Sequence, residues 1–251
     1  MTDLESRRKR AARVAGGASG GEFAPPGGGS TVLDVPKLQR NTLNDEVYDQ
    51  LKQAIISGTI PPGSTITIRN LAASFGISPM PVREALRRLV AEHVLVMLPN
   101  RSVALPVLTR ARFRELTRIR TSLEGLAAEE AAARIDRRTI DMMADINGRM
   151  ERKGAPRQSD YLVLNREFHF ALYRAAGLPT LLSIIESLWL QAGPLLNIQQ
   201  RVYSESNRTV QAHHRVLLKA LRRRDGAAAR AAVVSDIEEA AEIIAAHLPE
   251  S

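Results

Sequence analysis

The segment Arg69–Leu98 reads RNLAASFGISPMPVREALRRLVAEHVLVML and determines how the N-terminal part of the chain folds. Its first part places Leu71, Ala72 and Phe75 at the spacing of a short helix with one apolar face. Gly76 follows directly, and glycine commonly ends helices because it adopts the left-handed backbone without a Cβ clash. The pattern therefore predicts a short helix that ends at Phe75.

A second helix is predicted directly after this turn. Ser78 suits its N-cap, and Pro79 suits its first position, where a missing N–H costs nothing. Apolar residues then repeat on one face while the arginines lie largely off it, namely Val82, Leu86, Leu89 and Val90 against Arg83, Arg87 and Arg88. Helix, turn and arginine-bearing helix are what a reader of the DNA major groove needs. Such helix pairs also occur in proteins that never touch DNA, so the flanking sequence has to decide.

The flanking segments favour a winged helix-turn-helix. Apolar residues over Leu43–Ile56 repeat at helical spacing, and Gly58 is expected to end that helix. A short extended segment is expected at Thr65–Ile68, and the runs Val94–Leu98 and Ser102–Pro106 are expected to form a hairpin with a polar, basic tip. A hairpin in this position is the wing that lies beside the recognition helix and can enter the minor groove.

Composition limits the function classes without choosing one. The chain has 251 residues, of which 44% are hydrophobic and 4% aromatic, and this alanine-rich composition favours helices over sheets. It has no cysteine, which excludes disulfides, thiolate metal sites and cysteine catalysis. The net charge of +8 suits a polyanionic partner. Residues 41–108 nevertheless contain six basic and five acidic residues, so an argument for DNA binding has to rest on where the charges lie.

Residues 1–40 are expected to form a disordered tail, because they combine RRKRAAR with the Gly- and Pro-rich run GGASGGEFAPPGGGS. The tail arginines could contact phosphates, although a charge run is commonly just solvated. The sequence has no apolar run of the ~20 residues that a membrane span needs. We therefore expect a cytoplasmic protein with no membrane partner.

The sequences VYDQLKQAIISGTIPPGSTI (47–66) and LAASFGISPMPVREALRRL (71–89) resemble the N-terminal domain of GntR-type bacterial transcriptional regulators. The resemblance spans about 65 residues. It implies that DNA is contacted by Arg69, Ser78, Met80, Arg83 and the wing residues Asn100 and Arg101. The chain departs from the family pattern at Pro79, where many relatives have an arginine, and at His93 and Ser102, where glycines are common. One expected contact is therefore absent, and the wing has to form without these two glycines.

A second, all-helical domain is predicted after the wing. From Thr109 the chain becomes alanine-rich, and RFRELTRIRTSLEGLAAEEAAARI (112–135) carries apolar residues every three or four positions. Further helices are expected near 136–152, 158–176, 178–200, 203–224 and 226–247. The predicted fold class is thus mainly α, with a winged helix-turn-helix over 41–107 and a bundle of about six helices over 108–251.

Several polar residues are expected inside this bundle. Asn165 and His169 are one helical turn apart on an apolar face, and His214 shares a face with Leu217 and Leu221. Asp236 lies between apolar residues of the last predicted helix. A histidine and an amide one turn apart can form half of a metal site, but a hydrogen-bonded core histidine is the commoner explanation.

The segments RIRTSLEGLAAEEAA (118–132), LNREFHFALYRAAG (164–177) and AHHRVLLKALRRRDGAAARAA (212–232) resemble the FCD ligand-sensing domain of the FadR-type branch of that family. Many such domains bind a divalent metal through one Asp or Asn and three His, and a small carboxylate completes the coordination beside an arginine. The resemblance implies Asn165, His169, His214 and Asp236 as metal ligands. It implies Arg120 as the arginine that binds the effector.

The proposed metal site departs from the family pattern at Asp236, which stands where the family has its third histidine. An amide, two imidazoles and a carboxylate can still hold Zn, Ni or Mn, and oxygen ligands shift the preference toward harder ions. For Arg120, a surface helix pair with Glu124 is the alternative to effector binding.

Together these features predict a homodimeric transcriptional regulator that is not an enzyme. We expect it to act as a repressor, with an activator as the alternative, and to bind a pseudo-palindromic operator that matches its own two-fold symmetry. A small carboxylic or sugar acid bound in the bundle would alter operator binding. The alternatives are a metal-dependent hydrolase built on the Asn165, His169, His214 and Asp236 cluster, and an architectural DNA-binding protein without a ligand.

Overall fold

The structure is a computed structural model, and it describes residues 43–100, 102–151, 158–196, 198 and 212–250. The tail predicted over 1–40 and the wing residue Arg101 lie outside these residues. So do the first residues of the helix predicted over 203–224.

The first part of the described chain is a winged helix-turn-helix, as predicted. It comprises α1 (Leu43–Ile56), β1 (Thr65–Ile66), α2 (Ile68–Phe75), α3 (Pro79–Ala91), β2 (Val96–Met97) and β3 (Val103–Ala104). The strands form an antiparallel sheet in the order β1-β3-β2, with Thr65 and Val96 both opposite Ala104. The strand after α1 is therefore held by the wing hairpin, which lies directly after α3.

The core of this domain is formed by the inner faces of its three helices and the wing. Buried residues contributed by α1 and α3 include Val47, Leu51, Ile55, Val82, Leu86 and Leu89. The wing adds Val103 and Leu105. One member of the same core, Leu190, comes from a helix of the second domain and is 1% exposed. The hydrophobic spacing thus predicted the faces of α1 and α3, but not this insertion.

The turn between α2 and α3 has the predicted geometry. Gly76 is in the left-handed region with φ 66°, and its N–H bonds back to α2. Pro79 occupies the first position of α3 and Ser78 its N-cap, but the Ser78 hydroxyl makes no capping bond. The preceding helix α2 does have a side-chain cap, because the Thr67 hydroxyl accepts a bond from the Asn70 N–H at 3.2 Å.

The wing forms without the two glycines that relatives commonly carry. His93 takes the left-handed conformation itself, with φ 58°. At the tip, the Leu98 N–H donates to the Ser102 carbonyl at 2.8 Å. The side chain of Asn100 accepts from the Ser102 N–H at 3.1 Å and from its hydroxyl at 2.6 Å. Ser102 therefore closes the hairpin through both its backbone and its hydroxyl.

The second part is an all-helical bundle, again as predicted. In the described residues it contains α4 (Arg110–Arg134), α5 (Arg137–Glu151), α6 (Gln158–Ala175), α7 (Pro179–Ala192), α8 (Ala212–Arg222) and α9 (Gly226–Ala245). The helix predicted over 178–200 is interrupted, because α7 gives way to a 3-10 turn at Gly193–Leu195 that contains Pro194. Leu196 and Ile198 beyond this turn are again helical. No helix in the described ranges is long and apolar enough to cross a membrane.

Small residues let α4 and α9 pack closely. The buried face of α4 carries Ala127, Ala128 and Ala131, each no more than 1% exposed, and α9 adds Ala229 and Val233 to the same core. Alanine favours helix and leaves room for the neighbouring backbone to approach. The tight pairing fixes α4, which carries Arg120 and Glu124, against α9, which carries Asp236.

We expect Gly76→Ala to lower the free energy of unfolding by about 1–2 kcal/mol, because an L-residue is strained in the left-handed backbone. Steric crowding is not the cause, since a Cβ at Gly76 would meet no atom within 4 Å. Urea denaturation followed by circular dichroism measures the change.

The matched control for Gly76 is Gly148→Ala in the interior of α5. A Cβ there also meets no atom within 4 Å, but the backbone is helical. This substitution should raise the free energy of unfolding by about 0.5–1 kcal/mol. Equal effects of the same sign at both positions would contradict the backbone explanation.

Candidate functional site

The residues predicted to read DNA that the structure describes all lie on the surface. Arg69, Ser78, Met80, Arg83 and Asn100 are exposed. Met80 is 58% exposed at the start of α3, although methionine is commonly buried. An apolar side chain in this position is available for contact with a base, such as a thymine methyl. Arg101 is the one predicted DNA contact outside the described residues.

The arginines of α3 differ in whether they already form ion pairs or hydrogen bonds within the protein. Arg87 pairs with Glu84 at 3.1 Å, and Arg88 pairs with Glu92 at 3.1 Å and stacks on the Tyr48 ring at 3.7 Å. Arg83 forms no ion pair or hydrogen bond with any residue that the structure describes, and its side chain is exposed. A guanidinium without an internal partner is the one best placed to bind a phosphate or a guanine edge.

Three of the four predicted metal ligands converge inside the bundle. His169 on α6, His214 on α8 and Asp236 on α9 place their ligand atoms within 4.8 Å of one another. His169 Nε2 is 3.4 Å from Asp236 Oδ2, and His214 Nε2 is 3.9 Å from Asp236 Oδ1. Both imidazoles are buried, at 2% and 1% exposure.

The orientation of His214 is fixed by its second nitrogen. Asn147 donates its amide to Glu151 at 2.8 Å, so its Oδ1 faces His214 Nδ1 at 3.0 Å. Because that oxygen can only accept, Nδ1 carries the proton. Burial lowers the pKa of His214 to about 3, so the ring is neutral near pH 7. Its buried Nε2 makes no hydrogen bond and therefore presents a lone pair toward Asp236.

His169 is held in the same way by Tyr173. The Tyr173 hydroxyl donates to Glu124 Oε2 at 2.5 Å and lies 3.2 Å from His169 Nδ1. With its proton committed to the carboxylate, the phenolic oxygen accepts from Nδ1–H, and Nε2 of His169 also faces Asp236. Metal-binding histidines are commonly oriented by such a bond to their other nitrogen.

This arrangement fits a divalent cation. Two imidazole nitrogens facing one carboxylate need a shared positive charge, which is either a proton on His169 or a metal ion. Burial would raise the pKa of Asp236, but its hydrogen bond with His169 and the electrostatic influence of the neighbouring imidazoles hold the pKa below its ordinary value. Asp236 is thus a carboxylate at neutral pH.

The fourth predicted ligand and the predicted effector arginine line the same cavity. Its volume is about 20 Å³, which is room for one water molecule or one ion. Its walls include Arg120, Asn165, His169, Trp189 and Asp236. Entry of an organic acid therefore requires these side chains to move apart.

The structure also shows a buried residue whose role the sequence did not indicate. Glu124 is 0% exposed and accepts bonds from Arg120 Nε at 2.6 Å, Tyr173 at 2.5 Å and Trp189 Nε1 at 2.9 Å. The Arg120–Glu124 pair, considered above as a surface helix pair, is therefore buried and lies beside the cavity. Burial would lower the pKa of Arg120, but the charge of Glu124 raises it.

Tyr173 and Trp189 were also missed as parts of the site. Tyr173 follows His169 by four residues, so the helical period does place it beside the histidine. That spacing was a usable signal, but aromatic residues on a buried face are commonly interpreted as core. Trp189 comes from another helix, and its pairing with Glu124 depends on tertiary packing.

The fold and the buried polar cluster together define a DNA-binding regulator with a helical regulatory domain. Residues 43–105 match the family of bacterial regulatory proteins named gntR, and residues 115–248 match the FCD domain. The chain belongs to the GntR family of transcriptional regulators, in its FadR-type branch with an FCD domain.

Named relatives agree with this assignment. The HTH-type transcriptional regulator McbR of Escherichia coli K12 is 28% identical over 192 residues, which is 75% of this chain and 86% of the relative. The solved structure of E. coli McbR/YncC superposes with a TM-score of 0.74 at 25% identity and covers 83% of this chain and 99% of that one. A probable D-xylose utilization operon transcriptional repressor of Paenarthrobacter nicotinovorans is 26% identical over 160 residues, covering 64% and 71% of the two chains.

We expect Arg120→Met to lower the free energy of unfolding by about 3–5 kcal/mol, because it leaves the buried Glu124 carboxylate without its positive partner. The double variant Arg120→Met/Glu124→Gln should be closer to the wild type, since it removes both charges. Urea denaturation of Arg120→Met, Glu124→Gln and the double variant gives the coupling energy between the two side chains. Additive effects within about 0.5 kcal/mol would contradict a buried pair.

Proposed function

We propose that this regulator binds a pseudo-palindromic operator as a homodimer and acts as a repressor. A small carboxylic or sugar acid, bound in the bundle beside a divalent metal ion, changes its affinity for that operator. The winged helix-turn-helix over 41–107 reads the DNA, and the bundle over 108–251 binds the effector and the second subunit. Such a protein works in the cytoplasm, where the DNA is.

The exposed guanidinium of Arg83 is the observation that carries the DNA-reading part. It lies on the outer face of α3 beside Met80, and Arg69 at the start of α2 is exposed in the same domain. Two copies related by a two-fold axis would present two such helices to neighbouring half-sites. Operator symmetry is the expected consequence.

The convergence of His169, His214 and Asp236 supports the metal. Asn165, which lines the same cavity, would be the fourth ligand. When bound, a divalent ion supplies the positive charge that attracts a carboxylate and completes its coordination with an oxygen ligand. Zn, Ni and Mn are all compatible with two imidazoles and oxygen ligands.

Arg120 supports a carboxylate as the effector. Its Nε and Nη2 bond to Glu124, and its Nη1 makes no hydrogen bond within the described residues. A guanidinium with a remaining N–H edge at a cavity wall suits an organic acid. The small cavity favours an acid of few atoms. The relative named as a probable D-xylose utilization operon transcriptional repressor supports repression.

The matched relatives favour regulation over the hydrolase alternative. They carry the names of transcriptional regulators, and the chain covers 86% of the length of McbR. The buried cluster is also attached to a DNA-reading domain, which a hydrolase does not need. No observation favours catalysis at this cluster.

We expect Arg83→Ala to reduce affinity for the operator by about 10- to 100-fold, the loss associated with a good base or phosphate contact. The variant should stay folded, because Arg83 has no internal partner among the described residues. Arg87→Ala is the matched control, since Arg87 already pairs with Glu84. Gel shifts with an operator selected from a random DNA library measure both variants. Equal losses for the two would overturn the assignment of Arg83.

We expect the wild type to retain about one divalent ion per chain after dialysis, as a closed site does, and His169→Ala/His214→Ala to retain none. His213→Ala is the matched control. It removes the adjacent imidazole, which bonds to Glu239 at 2.6 Å and lies outside the cluster. Elemental analysis gives the metal content, and equal content in wild type and double variant would contradict the site.

The effector class is tested with the same proteins. A thermal-shift panel of organic and sugar acids, run with and without Zn, Ni or Mn, should raise the midpoint of the wild type for at least one acid. The rise should disappear in the double variant if the metal takes part. A panel in which neutral sugars alone stabilise the wild type would contradict a carboxylate effector.

A further inference from the structure

Helix α7 belongs to the cores of both domains. Trp189 is 3% exposed and lies in the core of the bundle, while Leu190 is 1% exposed and lies in the core of the DNA-binding domain. Successive residues of a helix point about 100° apart, so one turn of α7 faces both ways. A rotation or shift of α7 therefore moves both side chains together.

The bundle side of α7 is tied to the candidate effector site. Trp189 Nε1 donates to Glu124 Oε2 at 2.9 Å, and the indole ring lies 5.4 Å from the His169 ring. The same carboxylate holds Arg120 through Nε and Nη2. An acid that draws Arg120 toward itself changes the charge balance at Glu124, and with it the strength of the Trp189 bond.

The other side of α7 is tied to the end of the recognition helix. The carbonyl of Glu92, the C-cap of α3, accepts bonds from Ser187 Oγ at 3.3 Å and from Gln191 Nε2 at 3.4 Å. The Glu92 side chain is in turn held by Tyr48 at 2.6 Å and by Arg88 at 3.1 Å. A displacement of α7 thus acts on the residue that ends α3.

We propose that Trp189 is a positioning residue for DNA reading: through Leu190, Ser187 and Gln191 it transmits the state of the Glu124 carboxylate to the C-terminal end of α3. This deepens the proposed function, because it specifies how the effector site reaches the recognition helix. The route is short, since the residues that contact the two domains lie within five consecutive positions of one helix. A rigid helix with two buried anchors is a suitable two-state element.

The test compares two variants that each remove one donor from the same oxygen. Trp189→Phe and Tyr173→Phe both delete a bond to Glu124 Oε2, but only the first lies on α7. Hydrogen exchange of the ligand-free protein is followed for amides of residues 86–95. We expect Trp189→Phe to speed their exchange by about three- to tenfold, because it breaks the bond that ties α7 to Glu124. Tyr173→Phe leaves that bond in place and should keep the exchange within about twofold of the wild type. Equal acceleration by both variants, or none by either, would overturn the proposal.

A double variant of α7 serves as a control for a general destabilisation of the protein by Trp189→Phe. Ser187→Ala/Gln191→Ala removes the bonds to Glu92 without touching the bundle core, and it should speed exchange of the same amides while sparing residues 127–132 of α4. Unchanged exchange at 86–95 would contradict the route. Because no metal, acid or operator is added, this outcome is independent of whether the effector proposal holds.

Discussion

Four donor groups converge on the buried carboxylate of Glu124, and the arrangement of the bundle depends on them. Arg120 supplies two, Tyr173 the third and Trp189 the fourth. A carboxylate with no exposure to solvent is strongly unfavourable unless it is compensated in this way. Its partners come from three helices, so satisfying the charge fixes α4, α6 and α7 relative to one another.

Hydrogen bonds to two carboxylates also orient the histidines of the candidate metal site. Tyr173, which donates its hydroxyl to Glu124, orients His169. Asn147, which donates its amide to Glu151, orients His214. Each imidazole therefore turns the same nitrogen toward Asp236. The site is preorganised by hydrogen bonds that lie outside it, which is how buried polar groups acquire a defined geometry.

Local patterns predicted the fold well. Hydrophobic period, the glycine of the turn and the proline at the start of α3 are short-range features, and α1, α3 and the wing appear where they indicated. The polar cluster was predicted in part, because its histidines and Asp236 lie on apolar faces. Glu124 was considered only as a surface partner of Arg120, because its partners on α6 and α7 lie 49 and 65 residues away. The insertion of Leu190 into the other domain has the same cause, namely packing between distant segments.

One feature of α7 makes the regulator unusually simple to follow in solution. Trp189 is the sole tryptophan of the chain. It is buried beside a carboxylate, an imidazole and the Arg120 guanidinium, which lies 5.2 Å from its ring. All indole emission therefore comes from Trp189. This residue lines the cavity and lies next to Leu190, which packs into the core of the DNA-binding domain. Fluorescence excited near 295 nm reports on this position in the unlabelled protein.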